Sequence, residues 1–313
     1  MIIGNENIVK FLDKSIKNKA LAHSYIFYGP KNIGKKTTAH WLASRLLDSE
    51  QEKLHLEPDF LETIIEKNII PKEEIDRVVS RISLSSLGNG YKVLIINHAH
   101  LMNRSSANAF LKTLEEPPKK TIILLLTSEL GGILPTIVSR SSVLKFNLVA
   151  KDKIKNFLKE EQGAKNTQSH ANISFGRPGR AIKLLNTDWQ SKQVEATQEF
   201  YNLFFGDYVN RFKIIAELLK DPSSRKALKG TVNKKEKILK KIDFWMEITR
   251  DIFMLKYGLS DEVVHCTNNN ILIDISKKQP IKYFSVLAGR LIKMRQQVNK
   301  NINIQLMLEN LII

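Results

Sequence analysis

The sequence is short of several things that small secreted folds and membrane proteins depend on. Its 313 residues include one cysteine, Cys266. That excludes an intramolecular disulfide and any cysteine-based zinc site, and leaves a buried structural thiol as the plain reading. No apolar run approaches the ~18 residues that a bilayer span requires. The opening segment MIIGNENIVKFLDKSIKNK carries charge where a secretory leader would be continuously apolar. A cytoplasmic location and no membrane partner are therefore expected. Acidic residues are scarce as well: 32 Asp and Glu face 49 Lys and Arg, a formal charge of +17. Such an excess favours a polyanionic neighbour, although a Lys-, Ile- and Asn-rich composition carries the same signature without one. The imbalance is uneven. Residues 1–150 hold 20 basic and 15 acidic residues and 151–313 hold 29 and 17, so the basic surface belongs mainly to the C-terminal part. No helix-turn-helix, zinc finger or platform of interleaved aromatics marks a free-standing DNA-binding module.

What is present is 42% hydrophobic content, enough for the two or three domains expected at this length. In the first part, strand-like apolar runs at 24–28, 60–65, 92–97 and 121–128 alternate with helical patterns at 5–19, about 35–48, 72–82 and near 103–116. Unbroken apolar runs separated by helices are what a parallel sheet buried on both faces requires. An α/β domain of P-loop or Rossmann-like type is expected. After Phe146 the pattern turns helical: 151–161, 168–186 with a break at Gly176–Gly179, 191–204, 207–220, 234–257 and 280–298. Boundaries near 149 and 205 give three parts, 1–149, 150–205 and 206–313. The segment 229–241 is strongly basic; Lys229, Lys234, Lys235, Lys237, Lys240 and Lys241 read as a solvated helix face.

Gly29-Pro30-Lys31-Asn32-Ile33-Gly34-Lys35-Lys36-Thr37 follows a predicted strand and opens a predicted helix, the context in which a P-loop cradles phosphate. Backbone N–H groups and the helix N-terminus would create positive potential there, and Lys35 would reach the outer phosphates. A strict P-loop has Ser or Thr directly after that lysine to bind magnesium, and this chain has Lys36. Thr37 comes one position late, and on a helix that rotates its hydroxyl by ~100°. Two readings stay open: a degenerate phosphate cradle of Gly29, Gly34, Lys35, Lys36 and Thr37, or a glycine-rich turn that binds nothing. A hydrolysing site also needs an Asp at the end of an apolar strand to order Mg²⁺ and a neighbouring Glu to activate water. Here the strand KVLII ends in Asn97 and His98, which bring no negative charge. With Lys36 in the P-loop, both halves of the metal site are damaged and hydrolysis is not expected. His98, His100 and His55 have no cysteine or paired carboxylate to complete a zinc site and read as packed or solvated imidazoles.

The run Asn108-Ala109-Phe110-Leu111-Lys112-Thr113-Leu114-Glu115-Glu116-Pro117-Pro118, placed after the damaged strand end, resembles the NAxLKxLEEPP signature of the clamp-loader subunits of bacterial DNA polymerase III, and within them the delta-prime branch. Leu134-Pro135-Thr136-Ile137-Val138-Ser139-Arg140-Ser141 resembles their TIxSRC motif, with Ser141 in place of the cysteine. Similarity extends through AHSYIFYGP with His23, GYKVLIIN, ISFGRPGRAIKLL and the terminal NINIQLMLENLII, so it covers nearly the whole chain. The resemblance implies an AAA+ module: a RecA-like α/β part over 1–149, a small helical lid over 150–205 and a helical collar over 206–313. It further implies a hetero-oligomer with gamma/tau and delta subunits that meets a sliding clamp and primed-template DNA. Arg140 would project into a neighbouring subunit's ATP site as a trans arginine finger. The subunit would belong to the polymerase holoenzyme while lacking ATPase and polymerase activity of its own. No cofactor is required, and residual ATP or ADP at the P-loop stays open. Two departures stand out. The zinc-binding cysteines of many relatives are missing from DSEQEKLHLEPDF, so no zinc is expected. The lid arginine expected two residues before Ala181 is Gly179, with Arg177 and Arg180 as neighbours and not matches. An active gamma/tau-like subunit remains the alternative; it requires an Asp-Glu pair at 97–98 and a hydroxyl at 36.

Overall fold

The four apolar runs of the first half, joined by a further strand, form a five-stranded parallel sheet. In this computed structural model residues 2–63, 69–84, 90–160, 167–185, 189–219, 234–265, 269–298 and 303–312 are described. The chain runs α1 (Glu6–Lys17), β1 (Ser24–Tyr28), α2 (Lys35–Leu47), β2 (Phe60–Glu62), α3 (Lys72–Ser83), β3 (Lys92–Ile96), α4 (Arg104–Glu115), β4 (Thr121–Thr127), α5 (Pro135–Val138) and β5 (Ser142–Lys145). Three more helices follow, α6 (Lys151–Glu160), α7 (Thr167–Ile173) and α8 (Pro178–Leu185). Cys266, Lys229 and the end of the predicted second strand, 64–65, lie outside the described residues.

Strand order is β2-β3-β4-β1-β5, and every neighbouring pair is parallel. Ile26 in β1 is paired with Leu125 of β4 on one side and Val143 of β5 on the other. Side chains alternate across a strand, so one strand feeds two layers. Tyr25, Phe27, Ile95, Leu124 and Leu126 pack with Ile8 and Leu12 of α1 and Ala39 and Leu42 of α2. Ile26, Leu94, Ile96, Ile123 and Leu125 pack on the other face with Val78 of α3 and Phe110 and Leu114 of α4. Every residue of β3 and β4 is buried. Even Lys92 at the start of β3 is buried, its ammonium donating to the carbonyls of Ile82 and Leu84 at the end of α3, where the helix dipole favours a cation. Because β1 lies between β4 and β5, the chain leaves it in one direction and later returns to its other side. The crevice at the carboxyl end of β1 is a topological switch point, the usual ligand position in an open α/β sheet.

Two compact units emerge, Met1–Leu185 and Asn186–Ile313. The second is all helical: α9 (Trp189–Phe205), α10 (Tyr208–Leu219), α11 (Lys234–Lys256), α12 (Asn269–Lys278), α13 (Ile281–Gln297) and α14 (Ile304–Ile312). The α11 helix is its spine. Ile238, Ile242, Trp245, Ile248 and Ile252 recur at helical spacing and pack against Leu272 and Ile275 of α12 and Phe284 and Leu291 of α13. The fully buried Asp251 accepts from the backbone N–H groups of Val264 (3.0 Å) and His265 (2.8 Å), from His265 Nδ1 (2.7 Å) and from Arg250 Nη1 (2.8 Å). A buried carboxylate is tolerable only when paired in this way. The solvated-face reading of the basic segment fails at Lys241, which is half-buried against Glu199 at 2.6 Å because its stem lies along the packed side of α11.

Candidate functional site

The switch-point crevice holds the glycine-rich loop. Gly29 leaves β1 with its N–H on Thr127 O (3.2 Å), and a Cβ there would meet Phe146 O at 2.5 Å, so only glycine fits between β4 and the chain after β5. Gly34 caps α2 at φ 103° with open space around it; its need for glycine lies in the backbone angle alone. The first helical bonds run from Thr38, whose N–H (2.9 Å) and hydroxyl (3.1 Å) both reach Gly34 O. The N–H groups of Lys35, Lys36 and Thr37 precede the intrahelical ladder. Lys35 folds back on its own loop, donating to Gly29 O (2.5 Å) and Pro30 O (2.7 Å). Burial, with the charge of Lys31 beside it, pulls its amine down to about 8.

At position 36, where a metal site needs a hydroxyl, an ammonium is anchored. Lys36 Nζ lies 2.6 Å from Glu62 Oε1 at the end of β2, and His40 Nε2 lies 3.2 Å from the other carboxylate oxygen. Burial pushes the Glu62 carboxyl up, but the hydrogen bonds from His40 and Lys36 outweigh it and hold it below the ordinary value. Thr37 is exposed. At the end of β3 the Asn97 side-chain carbonyl accepts from the N–H of His98 at 3.0 Å, and His98 sits in the left-handed region at φ 52°. His98 and His100 meet edge to face at 5.8 Å, and the His100 Nδ1 pairs with Thr127 Oγ1 at 3.1 Å. Burial, then the neighbouring His100 and lysines, lower the pKa of His98. Burial likewise lowers that of His100. This strand end thus carries no negative charge and two neutral imidazoles at neutral pH. His55 is exposed on the single turn Leu54–Leu56. Among the described residues no three His, Cys, Asp or Glu side chains group as metal ligands.

These pieces border one cavity of about 520 Å³, lined by the loop from Lys31 to Thr37, by Asn97 and His98, by Thr127 and Ser128, and by the start of α8. The α8 helix touches the loop directly: Gly179 N donates to Asn32 O (2.9 Å) and Lys183 Nζ to Asn32 Oδ1 (3.2 Å). A Cβ at 179 would lie 3.1 Å from Asn32 O, so glycine here allows the close approach. Arg177 and Arg180 are not among the lining residues, and the Arg180 guanidinium lies 5.1 Å over the Phe175 ring.

Arg140 follows α5, whose N-terminus is set by Pro135. It does not line the cavity. Its guanidinium is on the surface, Nη2 paired with Glu115 Oε1 at 2.8 Å and Nη1 donating to Thr136 O at 3.1 Å. Ser141 is half-buried, bonded to Ile137 O (3.0 Å) and Ser24 Oγ (2.8 Å), which ties the end of α5 to the start of β1.

Residues 4–150, which hold the glycine-rich loop, Asn97, His98 and Arg140, match the family described as DNA polymerase III, delta subunit. The match covers just under half of the chain and makes it similar to DNA polymerase III clamp-loader subunits. The chain is 24% identical to the DNA polymerase III subunit delta' of Bacillus subtilis, over 98% of its own length and 94% of the relative's. It is 30% identical to the DNA polymerase III subunit gamma of Buchnera aphidicola, over 50% of its own length and 47% of that protein's, so the match spans about half of that relative. Among solved structures it aligns with a DNA polymerase III gamma subunit-related protein of Thermotoga maritima at a TM-score of 0.52 and 19% identity, covering 98% and 96% of the two chains, a likeness of fold.

The structure brings Gly34, Lys35, Lys36, Thr37, Asn97 and His98 to one cavity, leaves Gly29 outside its lining, and sets Arg140 apart from it. Sequence reasoning missed Glu62, Ser128 and the Glu115–Arg140 pair. Glu62 left one signal, a carboxylate inside the strand-like run 60–65.

Proposed function

We propose that this chain is the delta-prime subunit of a bacterial clamp loader, which helps place a sliding clamp on primed DNA and supplies Arg140 in trans without hydrolysing ATP itself. The observation that carries this reading is the Lys36 ammonium held on Glu62 at the position where a hydrolysing P-loop requires a metal-binding hydroxyl. Asn97 and His98 add no charge to bind Mg²⁺ and no carboxylate to activate water. The residues present do not fit that ion, so no step is assigned to it in this site. End-to-end similarity to a delta' subunit supports the same reading.

In this reading the chain has a RecA-like part (1–149), a lid (150–205) and a collar (206–313), works in the cytoplasm, and assembles with gamma/tau and delta subunits. It needs no cofactor and no zinc. An exposed guanidinium near the end of a short helix can be presented to a partner, and its planar fork suits the charge that develops on a transferring phosphoryl group. Releasing Arg140 from Glu115 costs little, because exposed ion pairs contribute about 0–1 kcal/mol.

The test is the clamp- and DNA-stimulated ATPase of the reconstituted loader, with this chain unaltered or carrying Arg140→Ala. A fall of about tenfold or more, roughly 1.4 kcal/mol of transition-state stabilisation, is expected. An unchanged rate in an assembled complex reduces the subunit to a scaffold. ATP turnover by the isolated chain would favour the gamma/tau-like alternative, to which the gamma relatives at 30–31% identity lend support.

A further inference from the structure

We propose that Ser24, at the start of β1, is a positioning residue for Arg140: its hydroxyl, acting through Ser141, ties the end of α5 to the sheet and so fixes where the guanidinium stands. The inference rests on the trans-finger reading of Arg140 and adds to it the part of this chain that holds the finger.

The Arg140 side chain is weakly held on its own. Its ion pair with Glu115 lies on the surface, and its second bond goes to the Thr136 carbonyl one turn back. Exposed pairs of this kind contribute little, so precision in its placement has to come from the backbone. The α5 helix is a single turn of four residues, too short to stand on its own hydrogen bonds. It is anchored at two points instead. Ile137 is fully buried in the layer that holds Val78 of α3 and Phe110 of α4. Its carbonyl accepts from the Arg140 N–H (3.2 Å) and from the Ser141 hydroxyl (3.0 Å). The second anchor is Ser24, whose Oγ lies 2.8 Å from Ser141 Oγ. Ser141 has one hydroxyl hydrogen and gives it to Ile137, so Ser24 is the donor between the two serines. Arg140 thus stands between a residue locked in the core and one tied to an inner strand.

The sheet explains why the two serines meet. β1 and β5 run parallel with Tyr25 paired to Ser142, so the residues one step earlier, Ser24 and Ser141, lie side by side. Ser24 is also opposite Ile123 of β4 and is 1% exposed. A hydroxyl buried this deeply needs a partner, and Ser141 is the one its side chain has among the described residues. Ser141 occupies the place of the cysteine in the TIxSRC motif, and its oxygen accepts from Ser24 more strongly than a sulfur would. Replacing Ser24 by alanine leaves the Ser141 bond to Ile137 in place and orphans no donor, so the variant is expected to fold.

The experiment is the clamp- and DNA-stimulated ATPase of the reconstituted loader, with kcat and KM for ATP measured separately for the chain unaltered and for Ser24→Ala, Arg140→Ala and the double variant. In Ser24→Ala kcat is expected to fall about fivefold with KM unchanged, because a displaced finger loses contact in the transition state without altering a neighbour's hold on ATP. Ser24→Cys, which keeps a weak donor, should recover part of the rate. The double variant should be no slower than Arg140→Ala, a result that general destabilisation does not give. A full rate in Ser24→Ala beside a slow Arg140→Ala overturns this proposal and leaves the finger reading intact; a double variant slower than Arg140→Ala by the same factor does likewise. A full rate in Arg140→Ala ends both. Should the isolated Ser24→Ala chain lack a normal melting curve, Ser141→Ala breaks the same bond from its other end and is held to the same outcomes.

Discussion

At residue scale the site turns on two adjacent lysines with opposite surroundings. Lys36 is exposed and ion-paired, whereas Lys35 is turned inward, and burial beside Lys31 takes its amine down to about 8. At pH 8 about half of Lys35 is therefore the neutral nucleophile, against on the order of one in 300 for an ordinary surface lysine. Brief treatment of the native protein with a limiting amine-reactive reagent at pH 8 should label Lys35 ahead of most other lysines, and peptide mass spectrometry reads the order directly. Labelling no faster than at Lys36 would mean that the amine is not perturbed. The sequence made Lys35 and Lys36 visible as motif positions, but not their states. Those depend on Glu62, which reaches the loop only because β2 ends beside it, and on two carbonyls of the loop itself. Gly179 shows the same limit: its position was noted for an arginine it lacks, while the reason for glycine, a helix resting on Asn32 O, is visible only in three dimensions.

At the scale of elements, legibility followed burial. The strands β3 and β4, buried along their whole length, read as unbroken apolar runs and fell within a residue or so of expectation. β5 was not read at all. It is four residues long and alternates half-buried with exposed positions, too brief and too polar for a periodic signal. The α12 helix was missed because its buried Leu272 and Ile275 sit in a short segment that opens with asparagine and ends with two lysines. The break expected at 176–179 falls at 174–177, where it separates α7 from α8, and Pro178 and Gly179 already belong to α8. α11 was also legible, and it carries a sharp prediction. Trp245 is fully buried, its ring edge-on to Phe204 at 5.9 Å, and its indole N–H has no hydrogen-bond partner among the described residues. Trp245→Ala should cost about 3–5 kcal/mol by leaving a cavity. Trp245→Phe removes the idle donor while keeping most of the side-chain volume, and should cost less than half of that. Urea denaturation of the two variants checks the order; equal losses would place the indole N–H in a bond that matters.

Across the whole molecule, the buried apolar residues sort into clusters confined to one unit or the other: two flank the sheet in residues 1–185, and one fills the helices of 186–313. Each unit has the length of an ordinary domain and its own core, so each should fold alone. The fragments 1–185 and 186–313, expressed separately, are expected to melt cooperatively by circular dichroism. A fragment that stays molten would show that its core is completed by the other. The change from α/β to all-helical pattern near Phe146 was plain in the sequence. That α6, α7 and α8 belong compactly with the sheet was not, because it rests on contacts such as Ile154 and Ala181 with the sheet's own layer.

The bond between Lys36 and Glu62 also bears on evolutionary history. Glu62 is half-buried and held ionised by Lys36 and His40 together. A single substitution that restores a hydroxyl at position 36 gains no metal site while Asn97 and His98 stand, yet it leaves that carboxylate with one partner fewer. A return toward a working motor that begins at position 36 thus passes through a less stable protein, and that route is held shut as by a ratchet.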